Sequence, residues 1–418
     1  VREPAKWEIE MRIWREYSIA WAAMAAIAVA QGAPVERARG IGVPFEGVPG
    51  PLDAITDVPG VEVGQVSLIS GEGVLKVGVG PVRTGVTIVF PRGAANPNPV
   101  YGGFFDLNGN GEITGRAYLE DFGVVQGPIG ISNTNAIGQV YAGIQAWSQH
   151  RFGEATYPVV AETWDGGLND LGGFHVQPET AIAAIEDARS GRVVEGNIGG
   201  GTGMRCFGFK GGIGTASRSV SVGGRPYTVG VLVQCNTGDR KVLRIAGAPV
   251  GAELAARWLP CYDPVLSPAG KVPKCAGAST VGDPPSDAGS IIIVVGTDAP
   301  LMPVELNRLA KRAAMGLARL GSYSGNGSGD LIVTFSTAGT ANDPDQTAPS
   351  PITPVASTQI DALFEGTVQA TEEAIVNAMI AAATMTGADG LRFFGLPHDE
   401  LRAILKRYGR LAAATSSR

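Results

Sequence analysis

The sequence predicts a mixed α/β protein built around a large core, and three observations carry that reading. Segments with strand-like and helix-like spacing interleave along the whole length, without the strict βαβ alternation of a doubly wound sheet. Hydrophobic residues fill 44% of the 418 positions and charged residues only 17%. The 60 glycines sit between Val/Ile runs, where they mark tight turns of a packed fold and exclude disorder, collagen or coiled coil. At roughly 150 residues per domain, the length allows two or three domains or one large α/β body. The net charge of -6 supplies no basic surplus to neutralise phosphates. Nucleic acid and membrane surfaces are therefore not expected partners.

In chain order, the first element is a targeting segment. Residues 11–15 form a short basic stretch, residues 19–30 an apolar one, and Ala28-Val29-Ala30 a small-x-small cleavage site before Gln31. The apolar stretch is shorter than the ~20 residues that span a bilayer. Residues 1–10 carry acidic side chains that do not suit a signal peptide, so Met11 reads as the start. The expectation is a 1–30 leader and a mature chain exported to a periplasm or beyond the cell.

Strands are predicted over residues 61–68, 85–90, 157–162, 227–234, 290–295 and 331–335, each rich in β-branched residues and bounded by Gly, Pro or Asp. Helical spacing covers 136–149, 179–188, 303–320, 359–384 and 398–408. Pro303 suits a first helical turn and Gly321 the residue just past the end of the same helix. One linker stands out, residues 260–289, rich in Pro, Gly, Ser, Asp and Lys. Five β-branched residues, from Ile291 to Val295, follow it at once.

Export makes disulfides chemically allowed. Cys261 and Cys275 flank a Pro/Gly-rich stretch of the linker where a bridge closes easily. Cys206 and Cys235 lie in or beside strand-like runs and read as buried thiols. His150, His175 and His398 are the only imidazoles and lie far apart, so neither a zinc site nor any other metal or cofactor is expected. Asp106 to Gly111 copies the first half of an EF-hand loop, but its twelfth position is Ala117, where calcium needs a bidentate Glu. The glycines before Met204 lack the third position of GxGxxG, no P-loop Lys follows them, and residues 321–329 contain no GxSxG elbow.

One junction carries chemistry. Asp287-Ala288-Gly289-Ser290-Ile291 joins a linker, a small residue, a hydroxyl and a buried strand. Cleavage before Ser290 would give that residue a free α-amine beside its own hydroxyl, and an amine of pKa near 7.7–8.0 is a usable base without histidine. Gly289 has no Cβ to obstruct attack on its carbonyl. A Gly-Ser turn before a strand is equally ordinary, and the residues alone leave both readings open.

The order of seven motifs is more specific. They are Leu107-Asn108-Gly109-Asn110-Gly111-Glu112, Ser132-Asn133-Thr134-Asn135, Glu162-Thr163-Trp164-Asp165-Gly166, the stretch from Gly200 to Met204, the stretch from Phe209 to Arg218, Gly289-Ser290 and Ser328-Gly329-Asp330. In this order the chain resembles the DmpA-type aminopeptidases, the self-processing serine peptidases that include L-aminopeptidase/D-esterases and β-peptidyl aminopeptidases. The likeness runs from about Ile41 to Leu405. It implies a four-layer αββα sandwich of N-terminal-nucleophile type, with autoproteolysis at Gly289/Ser290 into a 31–289 α-subunit and a 290–418 β-subunit that remain one structural domain. A homo-oligomer, a tetramer of cleaved protomers, is implied as well.

By the same resemblance Ser290 is the nucleophile, Ser328 and Asp330 position it and its amine, and Asn236 donates to the oxyanion. Glu162 holds the substrate ammonium, with Trp164 and Asn135 also on the substrate side. Trp164 stands where part of the family carries tyrosine. The implied substrate is a small peptide or amino-acid amide (or ester) whose N-terminal L-α, D-α or β residue is released. Two alternatives stand beside this one. An acyltransferase of the ornithine acetyltransferase architecture would use threonine where this chain has Ser290. A catalytically silent binding protein would have no need of Ser290, Asn236, Ser328 and Asp330 together.

Overall fold

The computed structural model describes residues 36–96, 98–276, 289–339 and 353–412. The expected leader and the end of the linker, residues 277–288, lie outside the described residues. In chain order the strands are β1 (Glu62–Ser70), β2 (Val82–Phe90), β3 (Val100–Gly109), β4 (Val124–Val125), β5 (Ile129–Asn133), β6 (Val159–Thr163), β7 (Arg205–Cys206) and β8 (Phe209–Lys210). They continue with β9 (Gly212–Val222), β10 (Arg225–Asn236), β11 (Cys261–Tyr262), β12 (Ser290–Thr297), β13 (Gly329–Ser336), β14 (Met385–Thr386) and β15 (Leu391–Phe393).

Two sheets dominate, one ordered β1-β2-β5-β6 and the other β4-β3-β13-β12-β10-β9. Helices Ile137–Phe152 and Pro178–Glu186 cover the first; helices Pro303–Arg319 and Asp361–Ile380 cover the second. The period-two pleat divides β12 between two cores. Ile291, Ile293 and Val295 face the covering helices with Leu309 and Ala374. Ile292 and Val294 face the other sheet with Ile129, Ile131 and Ala161. A third core joins Ile88 and Val160 to Ile144 and Ala184. The layers therefore run helix, sheet, sheet, helix, and the αββα expectation holds. Strands buried on both faces read as continuous apolar runs, which is why β2 and β12 stood out in the sequence.

Each sheet contains one parallel pair, β5 with β6 and β12 with β13. A single helix connects each pair, Ile137–Phe152 in one and Pro303–Arg319 in the other. The second helix has Pro at its start. It closes at Gly321, with φ +94° and a methyl position only 2.1 Å from the Val242 carbonyl oxygen. No Cβ fits there.

Three features depart from the sequence reading. Cys206 and Cys235 are not separate thiols; they form a buried disulfide with Cα atoms 5.5 Å apart. The β7–β8 hairpin folds Cys206 back across β10, a proximity that a separation of 29 residues conceals. The linker is partly built into the fold: β11 pairs with β15, the Cys261–Cys275 disulfide closes the segment, and Asp263 meets Arg392 at 2.6 Å. Strands β3 and β9 carry no clear strand signal in the sequence. β3 contains Gly102-Gly103, and a methyl on Gly103 would lie 2.6 Å from Asn307 N on the covering helix. β9 is polar, yet its Thr215, Ser217 and Arg218 are buried with partners from distant segments, including Ser217 Oγ to Asp57 at 2.6 Å and Arg218 to Glu373 at 2.7 Å.

Candidate active site

The centre of the site is the first residue of β12. Its neighbours β10 and β13 set Asn236 and Gly329 directly opposite Ser290. The Gly329 N–H points at both Ser290 Oγ, 3.3 Å away, and the Gly289 carbonyl oxygen, 3.2 Å away. Two glycines make this approach possible. A methyl on Gly289 would fall 1.9 Å from the Asn236 carbonyl oxygen, and one on Gly329 would fall 2.3 Å from that of Asn110.

Ser328 and Asp330 flank Gly329 and meet each other. The Ser328 hydroxyl donates to Asp330 Oδ1 at 2.6 Å and lies 3.1 Å from Thr237 Oγ1. With the Ser328 proton directed to the carboxylate, Thr237 is the donor in the second contact. The loop before Ser328 is held from β3. Asn108 Nδ2 donates to the Gly325 carbonyl at 3.0 Å and also to that of Ser328, while Asn110 Nδ2 donates to that of Gly327 at 2.8 Å. The stretch that copies half a calcium loop thus acts as a clamp on residues 325–328.

Asn236 is fixed at both ends of its amide. Its Oδ1 accepts from the Arg205 N–H at 2.9 Å, and its Nδ2 donates to the Trp164 carbonyl at 2.9 Å. One N–H of the amide remains for another acceptor. The Cys206–Cys235 disulfide joins the residues next to Arg205 and Asn236, so it holds this contact from the side.

Glu162 lies near the end of β6, almost wholly buried. Its Oε1 accepts from the Glu112 N–H at 3.2 Å and its Oε2 from the Thr134 hydroxyl. Burial, above all, raises its pKa, and the Thr134 and Glu112 hydrogen bonds pull it back down. Among the described residues it forms no ion pair. Gly111 lies between it and Gly329, the strand neighbour of Ser290, since a methyl there would touch Glu162 Oε1 at 3.2 Å and Gly329 Cα at 3.5 Å. A buried carboxylate without a cation is costly, and an incoming ammonium relieves that cost.

Trp164 is 44% exposed and lines a pocket of about 200 Å³ with Gly167, Gly203, Arg205, Asn236, Leu391 and Phe393. Asn135 is turned elsewhere: its Nδ2 donates to the Leu171 carbonyl at 3.0 Å, and it is Thr134 that reaches Glu162. Beneath the pocket, burial raises the Asp165 pKa to about 7 and lowers that of Lys210 to about 7. The structure therefore gathers Ser290, Asn236, Ser328, Asp330 and Glu162 around one strand end. Thr237, Thr134, Asn108 and Asn110 join them unannounced by the sequence, although the last three lie within recognised motifs.

A serine hydroxyl met by a backbone N–H at a strand start, with Asn236 and the Ser328–Asp330 pair at the two adjacent strands, in an αββα sandwich, defines a serine hydrolase of the N-terminal-nucleophile type. The family model for peptidase family S58 matches residues 53–393, and the chain belongs to that family. It is 53% identical over 393 residues to the β-peptidyl aminopeptidase BapA of Sphingosinicella microcystinivorans, covering 93% of this chain and 96% of that one. A second β-peptidyl aminopeptidase BapA, from Sphingosinicella xenopeptidilytica, is 45% identical over 381 residues, covering 88% and 91%. The solved L-aminopeptidase D-Ala-esterase/amidase of Ochrobactrum anthropi superimposes with a TM-score of 0.79 at 42% identity, covering 90% of this chain and 100% of that one. These matches favour a peptidase over the acyltransferase and silent-protein alternatives.

Proposed function

We propose that this aminopeptidase is exported, cuts itself before Ser290, and then uses the same serine to release N-terminal residues from small peptides and amino-acid amides. In the first reaction Ser290 Oγ attacks the Gly289 carbonyl carbon. The Gly289 C–N bond breaks, the Ser290 nitrogen leaves as an amine, and water hydrolyses the resulting ester to a Gly289 carboxylate. In the second reaction the freed α-amine takes the Ser290 proton, Oγ attacks the substrate carbonyl, and the leaving amine receives that proton. Water then releases the acyl group. Asn236 donates to the oxyanion, Ser328 and Asp330 orient the nucleophile and its amine, and Glu162 binds the substrate ammonium. Trp164 borders the bound substrate. The two relatives named as β-peptidyl aminopeptidases make β-amino acids the first N-terminal residues to assay. The α- and β-subunits of each precursor stay together, and cleaved protomers associate as a tetramer.

The observation that carries this reading is the alignment of Asn236, Ser290 and Gly329 across three adjacent strands, with the buried Glu162 carboxylate, which forms no ion pair among the described residues, reached from Gly329 through Gly111. Two measurements test it. Intact mass spectrometry should find a fragment whose N-terminus is Ser290; one uncut, fully active chain would refute the self-processing mechanism. Free-amine substrates should be cleaved and their N-acetylated forms poorly, since acetylation removes the charge that pairs with Glu162. Equal rates on both would make the protein a general amidase instead.

A further inference from the structure

Among the described residues Lys210 is the only buried lysine, and no step of the reaction uses it. It ends β8 and forms no ion pair among the described residues. Its Nζ donates instead to three backbone carbonyls, those of Gly211 at 2.8 Å, Gly201 at 3.5 Å and Met204. An ammonium taken out of water with no carboxylate in contact is costly. A neutral donor would satisfy the same carbonyls with less desolvation. The positive charge is therefore matched to something those carbonyls are attached to.

The Met204 carbonyl belongs to the peptide group that fixes Asn236. Its oxygen accepts from Lys210 Nζ and from the Gly211 N–H, 3.0 Å away. The N–H of the same peptide group, that of Arg205, donates to Asn236 Oδ1 at 2.9 Å. A peptide group is planar and rigid, so an ammonium bound at its oxygen orients the donor at its nitrogen. Positive charge at the carbonyl also draws electrons from that nitrogen and makes the N–H a stronger donor. Asn236 Oδ1 receives the stronger bond, and the protons on its Nδ2 become more positive in turn. One of them goes to the Trp164 carbonyl at 2.9 Å, and the other is the donor assigned to the oxyanion. The surroundings hold this relay in place. The Lys210 N–H donates to the Phe394 carbonyl at 2.7 Å, and the Cys206–Cys235 disulfide ties β7 to β10.

We propose that Lys210 is a positioning residue for the reaction, its ammonium acting through the Met204–Arg205 peptide group to orient and polarise the Asn236 amide toward the oxyanion. The proposal rests on the reading of Asn236 as oxyanion donor. Lys210 acts through Asn236, so its loss should appear in kcat and not in KM. Lys210→Met, which keeps the length and removes the charge, should lower kcat by about tenfold or more per cleaved chain and change KM by less than about twofold. Lys210→Arg should recover part of the loss. In an Asn236→Ala background the same Lys210→Met change should cost less than about twofold, because its route to the oxyanion is already gone.

The charge is also tested with no substitution at Lys210. The charged groups around the ammonium are Asp165, which holds its pKa up, Arg205 opposite it in the hairpin, and Arg240, which donates to the Phe207 and Gly208 carbonyls of the hairpin turn. Burial outweighs Asp165 and lowers the Lys210 pKa to about 7. The ratio of parent kcat to Asn236→Ala kcat should therefore fall as pH rises through that value, and the titration of the freed α-amine cancels from it. This ratio decides the matter even where Lys210→Met does not fold. A ratio independent of pH overturns the proposal, as does a Lys210→Met enzyme with the parent's kcat. Asn236→Ala with the parent's kcat refutes the oxyanion reading itself, and this inference with it. A slow Asn236→Ala enzyme that loses the full factor again on Lys210→Met refutes the inference alone.

Discussion

Ser290 and Glu162 carry opposite demands on their surroundings. A nucleophile needs donors close by and space in front, and the bare backbones of Gly289 and Gly329 provide both. Ser290→Ala should leave the chain uncut and inactive, because both reactions lose one oxygen; electrophoresis of the purified variant showing normal fragments would end the self-cleavage proposal. A carboxylate that receives an ammonium needs to be buried but ionised. Burial raises the Glu162 pKa, so its anion forms at higher pH than that of an ordinary glutamate. KM for free-amine substrates should therefore rise as pH falls through that value. Glu162→Gln should raise KM by about tenfold or more, as loss of a charged hydrogen bond does, and abolish this acidic limb. A pH–KM profile identical to the parent's would remove Glu162 from the site. The sequence exposes Ser290 and Glu162 because a serine after a linker and an acid in an apolar strand are each out of place. Thr237 and Thr134 are ordinary in their segments, and only their contacts give them roles.

At the level of elements, the site depends on a loop that its own strand does not stabilise. Residues 325–328 are held by Asn108 and Asn110 from the end of β3. Asn108→Ala should lower kcat with little change in KM, since it displaces Ser328 without touching bound substrate. Steady-state kinetics with thermal melting separate this from general unfolding; an equal loss in both parameters would argue against a positioning role. The Cys261–Cys275 bridge acts similarly on the pocket wall, because β11 pairs with β15, which carries Leu391 and Phe393. Replacing both cysteines by serine should lower stability by about 3 kcal/mol, the scale for a loop of this length, measurable by denaturant titration. β9 shows why some elements escape a sequence reading. Its alternation of Thr215, Ser217 and other polar residues looks solvent-facing, and only partners on the 50–57 segment and the Asp361–Ile380 helix make burial affordable.

For the molecule as a whole, the layers beneath the pocket impose a pH dependence on stability. Asp165 titrates at about 7 in the folded protein against 3.8 unfolded. Between these values the folded state keeps a proton that the unfolded state has released, so stability falls as pH rises across that interval. Lys210, lowered to about 7 from 10.5, acts in the opposite sense above pH 7, where the unfolded chain binds the extra proton. Asp165→Asn should flatten the loss between pH 4 and 7 and, because the Asp165 charge holds the Lys210 pKa up, shift the Lys210 contribution to lower pH. Denaturant midpoints across pH 4 to 9 check this, and a parent-like slope below pH 7 would assign the dependence to other groups.

The sequence by itself determined the α/β class, most central strands and helices, and the junction at Ser290. Those features are local, because a strand buried on both faces must be continuously apolar and a helix end needs its proline and glycine within a few residues. The order of its motifs also pointed to the family and to the residues around the nucleophile. Tertiary structure decided everything that depends on segments far apart in the chain. The Cys206–Cys235 bond, the clamp of Asn108 and Asn110, and the partners that make β9 a buried strand are all of this kind. Each depends on which strands lie side by side and in what register, and that is set by the packing of two sheets and four covering helices, not by any one stretch of residues.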